Sequence, residues 1–172
     1  ALLSLEQKHD GRFQSFGLVD GEHAHGIATG RRWFIGTFSG GAGILSCDLL
    51  EEKGIIVAEL SAQTKKNLSK VFPDWLPASN PVDLFPAFAV RGPQAAFEGA
   101  FMAVVDDPNV DVIFLHFFAG LHENSEGLKL LKKTAEENGK IVVMWVIGLR
   151  EPVRLFKRAA QEIGIPVHGE LF

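Results

Sequence analysis

From residue 32 onward the chain alternates between two kinds of apolar pattern. Four short runs, 33–38, 55–60, 110–117 and 141–147, are apolar almost throughout rather than at every second position. A strand with one wet face alternates, whereas a continuous run is covered on both faces, as in a parallel sheet between helix layers. The segments between these runs carry apolar residues at helical spacing. This spacing predicts a helix over 43–53, with Ile44, Leu45, Leu49 and Cys47 on its buried stripe and a stop at Gly54. A second helix over 62–72 is capped by Ser61, turns Leu68, Val71 and Phe72 inward, and ends at Pro73. A third starts at Pro93, buries Ala96, Phe97, Ala100, Phe101, Val104 and Val105, and closes at Asp107-Pro108. A fourth runs from Asn124 or Ser125 to about Glu137 with Leu128, Leu131 and Ala135 inward, and Asn138-Gly139 stops it. Pro152 opens the last, with Val153, Phe156, Ala159, Ala160 and Ile163 on one side, and a short strand at Ile165–Val167 follows Gly164. Residues 74–88 read as a long proline-bearing connection.

Right-handed crossovers limit how such units wind. The expected fold is α/β: a three-layer αβα domain with a doubly wound parallel five-stranded sheet in the order 2-1-3-4-5, which is flavodoxin-like. In such a sheet a ligand crevice forms at the carboxyl ends of the first and third strands, where the order reverses. That places Ser39–Gly43 beside His116–Gly120, with Gly148–Glu151 nearby. Residues 1–31 are broken by Gly11, Gly17, Gly21, Gly26 and Gly30 and read as an irregular N-terminal arm or linker, leaving 32–172 as the domain.

Ser39-Gly40-Gly41-Ala42-Gly43 is the leading candidate for chemistry. It lacks the Gly-Lys-Ser/Thr ending of a Walker loop, and its glycines do not follow the dinucleotide fingerprint. Strand, glycine-rich turn and helix nevertheless suit an anion, because the first turn of a helix carries unpaired N–H groups and a partial positive charge. The Ser39 hydroxyl and the N–H groups of Gly41 to Gly43 can cradle an oxyanion; the alternative is a simple tight strand-to-helix turn. Asn80 and Asp83, in Asn80-Pro81-Val82-Asp83-Leu84, are supporting candidates or parts of a structured turn. His116 ends an apolar strand near the crevice, and His122 follows. A histidine there either meets phosphate, as ligand or nucleophile, or is a satisfied structural residue. His23 and His25 are either exposed loop histidines or part of a metal site, though four ligands are not assembled around them. Phe85, Phe88, Phe117 and Phe118 read as core or interface residues. Asp48, Glu51 and Glu52 read as the solvated or partner-facing side of the first helix.

Composition narrows the classes. With 47% hydrophobic and 22% charged residues the chain is globular. A formal charge of −4 and the absence of a basic run argue against nucleic acid. No apolar run approaches a membrane span. The single cysteine, Cys47, excludes an internal disulfide and fits a reducing, cytoplasmic setting. The chain opens on Ala rather than Met, which fits Met removal, a processed chain or a piece of a longer protein. A flavin-binding flavodoxin is disfavoured, because there is no Tyr to stack on a flavin and the loop is not rich in Ser or Thr.

Five motifs in order carry a resemblance. Ser39-Gly40-Gly41-Ala42-Gly43 is followed by Asp48, Glu51 and Gly54; Leu60-Ser61 is followed by Thr64; then come Asn80-Pro81-Val82-Asp83-Leu84, Asp107-Pro108-Asn109-Val110-Asp111 and Gly164-Ile165-Pro166-Val167. Over residues 32 to about 169 the chain resembles the NDP-forming acyl-CoA synthetases, relatives of succinyl-CoA synthetase. The resemblance implies a flavodoxin-like ligase domain of an enzyme that makes acyl-CoA from an acid, CoA and ATP or GTP, through an acyl phosphate and a phosphohistidine. It implies the ligase domain that lacks the phosphohistidine and lends a helix N-terminus to the phosphoryl group. Gly-His-Ala-Gly and Ser-His-Thr-Gly, the usual settings of that histidine, are absent. No cofactor is expected in this chain; CoA, ATP or GTP and Mg are implied for the complete enzyme. The expected partners are CoA-binding, phosphohistidine and ATP-grasp domains or subunits, a homo-oligomer is left open, and the chain alone is not expected to be active. The alternative is a non-catalytic assembly or regulatory module of the same fold.

Overall fold

The computed structural model describes residues 32–120 and 125–169. The proposed arm 1–31, with His23 and His25, lies outside them, as do Asn124 and His122. The elements run β1 (Arg32–Thr37), α1 (Gly40–Glu52), β2 (Ile56–Val57), α2 (Ala62–Leu68), β3 (Val82–Asp83), α3 (Phe85–Arg91), α4 (Pro93–Val104), β4 (Val112–Ala119), α5 (Ser125–Glu137), β5 (Ile141–Gly148), α6 (Arg150–Glu162) and β6 (Val167–His168). The sheet is parallel in the order β2-β1-β4-β5-β6, with β3 also pairing β1. This is the expected doubly wound order with one added strand.

The sheet separates two cores. Phe34, Ile113, Leu115, Met144 and Val146 pack with α2 to α6 through Leu68, Ala87, Ala96, Val104, Leu128, Phe156 and Ala160. On the other face Trp33, Ile35, Val112, Phe114 and Val143 pack with Leu50 and Ile55. The aliphatic runs of β4 and β5 thus bury side chains of both parities, which is why they are apolar without alternation.

Two expectations need correction around β1. The run 55–60 forms only a two-residue strand, and the connection 74–88 contains β3 and the start of α3. One side chain explains both. Asn80 accepts from the Ile35 N–H at 2.9 Å and donates through Nδ2 to the carbonyls of Trp33 and Ala58, at 2.8 and 3.0 Å. Its amide therefore fills the ladder where β2 leaves β1. Beyond it Val82 and Asp83 pair with Gly36 and Thr37, and the Leu84 N–H reaches the Thr37 carbonyl. The edge of β1 is completed in relay by β2, a side chain and β3.

The opposite edge is stapled by the Asp107–Asp111 segment. Asp107 is buried and accepts from the N–H groups of Ser61 and Asn109 at 2.9 and 2.8 Å. Asp111 holds the Arg32 guanidinium from both oxygens, at 2.7 and 3.1 Å. That pairing holds the Asp111 carboxyl below its ordinary value. Helix α2 is capped as expected, Ser61 Oγ accepting from the Thr64 N–H at 3.2 Å, but it ends at Leu68 instead of residue 72. Leu68, Val71 and Phe72 still turn inward.

Asn80→Ala removes a donor and an acceptor from the β1–β2 seam and leaves backbone groups unpaired. Urea unfolding should show a loss of about 2–4 kcal/mol.

Candidate functional site

The site lies at the carboxyl edge of the sheet, where β1 passes into α1. Ser39 is extended, with φ −148° and ψ 117°, and its carbonyl accepts the Gly43 N–H at 3.0 Å, the first bond of the helix. Helix α1 therefore begins at Gly40, three residues before the expected start. The glycines belong to its first turn and not to a separate bend. The register of free donors moves accordingly. Gly43 has spent its N–H, whereas those of Gly40, Gly41 and Ala42 have no hydrogen-bond partner among the described residues. The Ser39 hydroxyl does not cap the helix. Three backbone donors and one hydroxyl are thus presented together at the positive end of a thirteen-residue helix.

The glycines are there for different reasons. A Cβ at Gly43 would lie 2.9 Å from Thr37 Cγ2 and 3.2 Å from Pro81 Cβ, so this position is glycine because α1 presses on β1. A Cβ at Gly40 would lie 3.1 Å from Asp83 Oδ2. At Gly41 nothing lies within 4 Å, so the backbone there faces open space.

The close approach also corrects the expected stripe of α1. Gly43, Ser46 and Leu50 face inward, Leu49 and Cys47 are half-buried, and Ile44 and Leu45 are exposed. Small residues lie beneath the helix because there is no room for larger ones.

Beneath the loop a buried relay fixes its geometry. Thr37 Oγ1 accepts the Ser39 N–H at 3.0 Å and donates to the Ser39 carbonyl at 2.9 Å. Its proton is then committed, so His116 Nδ1, 2.9 Å away, is the donor of that pair. The neutral ring must accept at Nε2, where the Ser46 hydroxyl lies at 3.2 Å. His116 is fully buried, and Phe38, Phe114 and Trp145 surround its ring. Burial lowers its pKa to about 4. Both nitrogens are engaged and no edge is open, so of its two expected roles the geometry fits the structural one.

Asn80 stands in the β1 seam, bonded to Trp33, Ile35 and Ala58 and not to the loop. Asp83 sits at the loop itself: Oδ1 accepts from the Phe85 N–H at 3.0 Å, and Oδ2 lies over Gly40. A carboxylate at a helix N-terminus is favourable for the helix. The carboxyl ends of β4 and β5 abut at the same edge, Ala119 pairing with Gly148. Phenylalanines form a contact series Phe85–Phe88–Phe97–Phe117–Phe156 that runs from the largely exposed Phe85 into the main core. Among the described residues no group of His, Cys, Asp and Glu is arranged to hold a metal ion, and no helix is long and apolar enough to cross a membrane.

A parallel αβα sheet with an open, glycine-built helix N-terminus at its carboxyl edge defines a doubly wound α/β domain of the flavodoxin-like class. The comparisons with known proteins take this further. The chain is 30% identical over 142 residues to an acetate–CoA ligase [ADP-forming] II of Archaeoglobus fulgidus, covering 83% of this chain and 21% of that protein. It is 26% identical over 148 residues to the alpha subunit of acetate–CoA ligase [ADP-forming] II of Pyrococcus furiosus, covering 83% and 31%. In fold it matches PH0766 of Pyrococcus horikoshii OT3, at TM-score 0.69, 23% identity and coverage of 83% and 33%. It also matches the dinucleotide-forming acetyl-coenzyme A synthetase 1 of Ca. Korarchaeum cryptofilum, at TM-score 0.65, 20% identity and coverage of 83% and 31%. No family model matches. Over 83% of its length the chain is similar to NDP-forming acyl-CoA synthetases, and it spans between a fifth and a third of the curated relatives it matches.

Two measurements check this geometry. Gly43→Ala should lose about 1–3 kcal/mol in urea unfolding through overpacking, whereas Gly41→Ala should be neutral or up to about 1 kcal/mol more stable. His116 gives a pH signature. An unfolded imidazole titrates near 6.5, and the folded ring takes up its proton only near 4. Between these values the unfolded chain binds more protons, so the stability present above about pH 7 is lost as pH falls toward 4, by roughly 3 kcal/mol. Urea titrations across this range should show that loss, with a flatter profile in His116→Gln.

Proposed function

We propose that this chain is one domain or subunit of an NDP-forming acyl-CoA synthetase, and that its α1 N-terminus stabilises the phosphoryl group of a phosphohistidine carried elsewhere in the assembly. The observation that carries the reading is the set of unpartnered N–H groups at Gly40, Gly41 and Ala42, above the open face at Gly41. The two curated relatives named as ADP-forming acetate–CoA ligases support the enzyme class.

The work of such a site is electrostatic. Fixed backbone donors and a helix dipole stabilise negative charge as a phosphoryl group passes, and they need no reorganisation. Ser39, Gly40, Gly41 and Ala42 supply the donors, and Gly43 allows the helix to sit against β1. Asp83 gives the site mixed sign. Its free oxygen suits the N–H that the second ring nitrogen of a phosphohistidine carries in the protonated, imidazolium form, while the phosphoryl group on the other ring nitrogen meets the helix. Asn80 supports the loop at one remove by holding the β1 seam. CoA, nucleotide and Mg belong to the other domains of the complete enzyme in this reading, so the chain alone turns over no substrate.

Inorganic phosphate is the direct probe. Titration into the ¹⁵N-labelled chain should shift the amides of Gly40, Gly41 and Ala42 first, with affinity falling as salt rises. Asp83→Asn removes a like charge and should tighten free phosphate by roughly threefold to tenfold. Amides that do not move at high phosphate would overturn the reading.

A further inference from the structure

Helix α1 turns two bulky aliphatic residues, Ile44 and Leu45, away from the sheet. Its inward positions are Gly43, Ser46 and Leu50, while Ile44 is 61% and Leu45 38% exposed. Helix α6, by comparison, turns Phe156 and Ala160 inward and half-exposes Leu155 alone. Two adjoining aliphatic side chains on the outer face of α1 form a small apolar surface. Farther along α1, Asp48, Glu51 and Glu52 are exposed, and none forms an ion pair among the described residues. The last turn holds no basic residue, so two glutamates stand at the negative end of the dipole, where carboxylates are disfavoured. The negative field is felt locally at Cys47. Burial first, and then Glu51 and Asp48, push its thiol up to about 11.

We propose that the outer face of α1 docks a second folded domain whose contact surface is apolar and edged with Lys or Arg. Charge complementarity selects this occupant. A second copy of the chain meeting this face across a two-fold axis would bring acidic residues against their own equivalents, whereas a basic margin neutralises the acidic end of the helix as the apolar centre covers Ile44 and Leu45. The inference rests on the reading of the chain as one domain of a larger ligase, and it adds the face through which a neighbour is held.

The test uses the full 172-residue chain and two amphipathic helical peptides of identical apolar sequence, one leucine–lysine and one leucine–glutamate. The lysine peptide should shift the amides of 44–52, with affinity that falls as salt rises. The glutamate peptide should bind roughly tenfold or more weakly. Ile44→Glu should weaken the lysine peptide by a similar factor, and Met102→Glu, at an exposed apolar position on α4, should leave it unchanged. Equal affinity for the two peptides, shifts centred outside 44–52, or an Ile44→Glu variant that binds normally would each overturn the proposal. So would a wild-type dimer in sedimentation that Ile44→Glu dissolves, because it would make the occupant a second copy. Phosphate titrated into the same samples reads Gly40–Ala42 separately, so a failure of the anion reading is distinguished from a failure of docking.

Discussion

The Thr37 hydroxyl is the point on which the carboxyl edge depends. It is fully buried, and it satisfies both polar backbone groups of Ser39 while receiving the His116 Nδ1–H. A helix usually caps itself with the side chain of its first flanking residue. Here the strand residue two positions earlier fixes the backbone instead, and the Ser39 side chain is released from that task. The cost is space: a helix held this close to β1 cannot place a Cβ at Gly43. The open N-terminus, the small inward residues of α1 and the neutral tautomer of a buried histidine are consequences of one short strand-to-helix connection.

The motifs shared with the synthetases divide into two kinds once their contacts are known. Asn80 completes the β1 edge, Asp107 anchors the start of α2, and Asp111 ties down Arg32. These residues hold segments that have no regular partner, and each does so by hydrogen bonds of a polar side chain to the backbone or to a fixed cation. The Ser39–Gly43 run and Asp83, by contrast, leave groups without a hydrogen-bond partner among the described residues at the carboxyl edge of the sheet. Polar residues in short motifs therefore signal backbone repair as readily as chemistry, because an unpaired buried N–H or carbonyl needs a partner just as a substrate does.

The strand order was legible because continuous apolar runs and helical spacing are long-range, redundant signals. The inward faces of α4 and α6 were legible for the same reason: Ala100, Val104, Phe156 and Ala160 repeat at helical intervals. Where the reading failed, side-chain volume and hydrophobicity gave opposite answers. Gly43 and Ser46 line the inward face of α1, where Gly43 presses on Thr37 and Pro81, because they are small, and a scale of hydrophobicity ranks them below Ile44 and Leu45. The strand β3 was hidden because two residues carry no periodicity, and β2 was overestimated because its last positions yield the ladder to Asn80. The strand-to-helix join was legible, but the helix start was placed three residues late and the free N–H groups one residue late, since the position of the first helical bond depends on which carbonyl Gly43 reaches.

That shift alters what the loop can do. With the helix starting at Gly43, its glycines would form a flexible turn that has to be ordered by a ligand, and binding would carry that entropic cost. With the helix starting at Gly40, the donors are already fixed by α1 above and by Thr37 and His116 below. A preorganised donor set needs no rearrangement when charge arrives, which is the property that transition-state stabilisation requires and simple anion storage does not. Asp83 argues in the same direction. A carboxylate beside three N–H groups weakens a site for free phosphate, whereas the proposed phosphohistidine, with its ring protonated, would donate to the carboxylate and accept from the N–H groups.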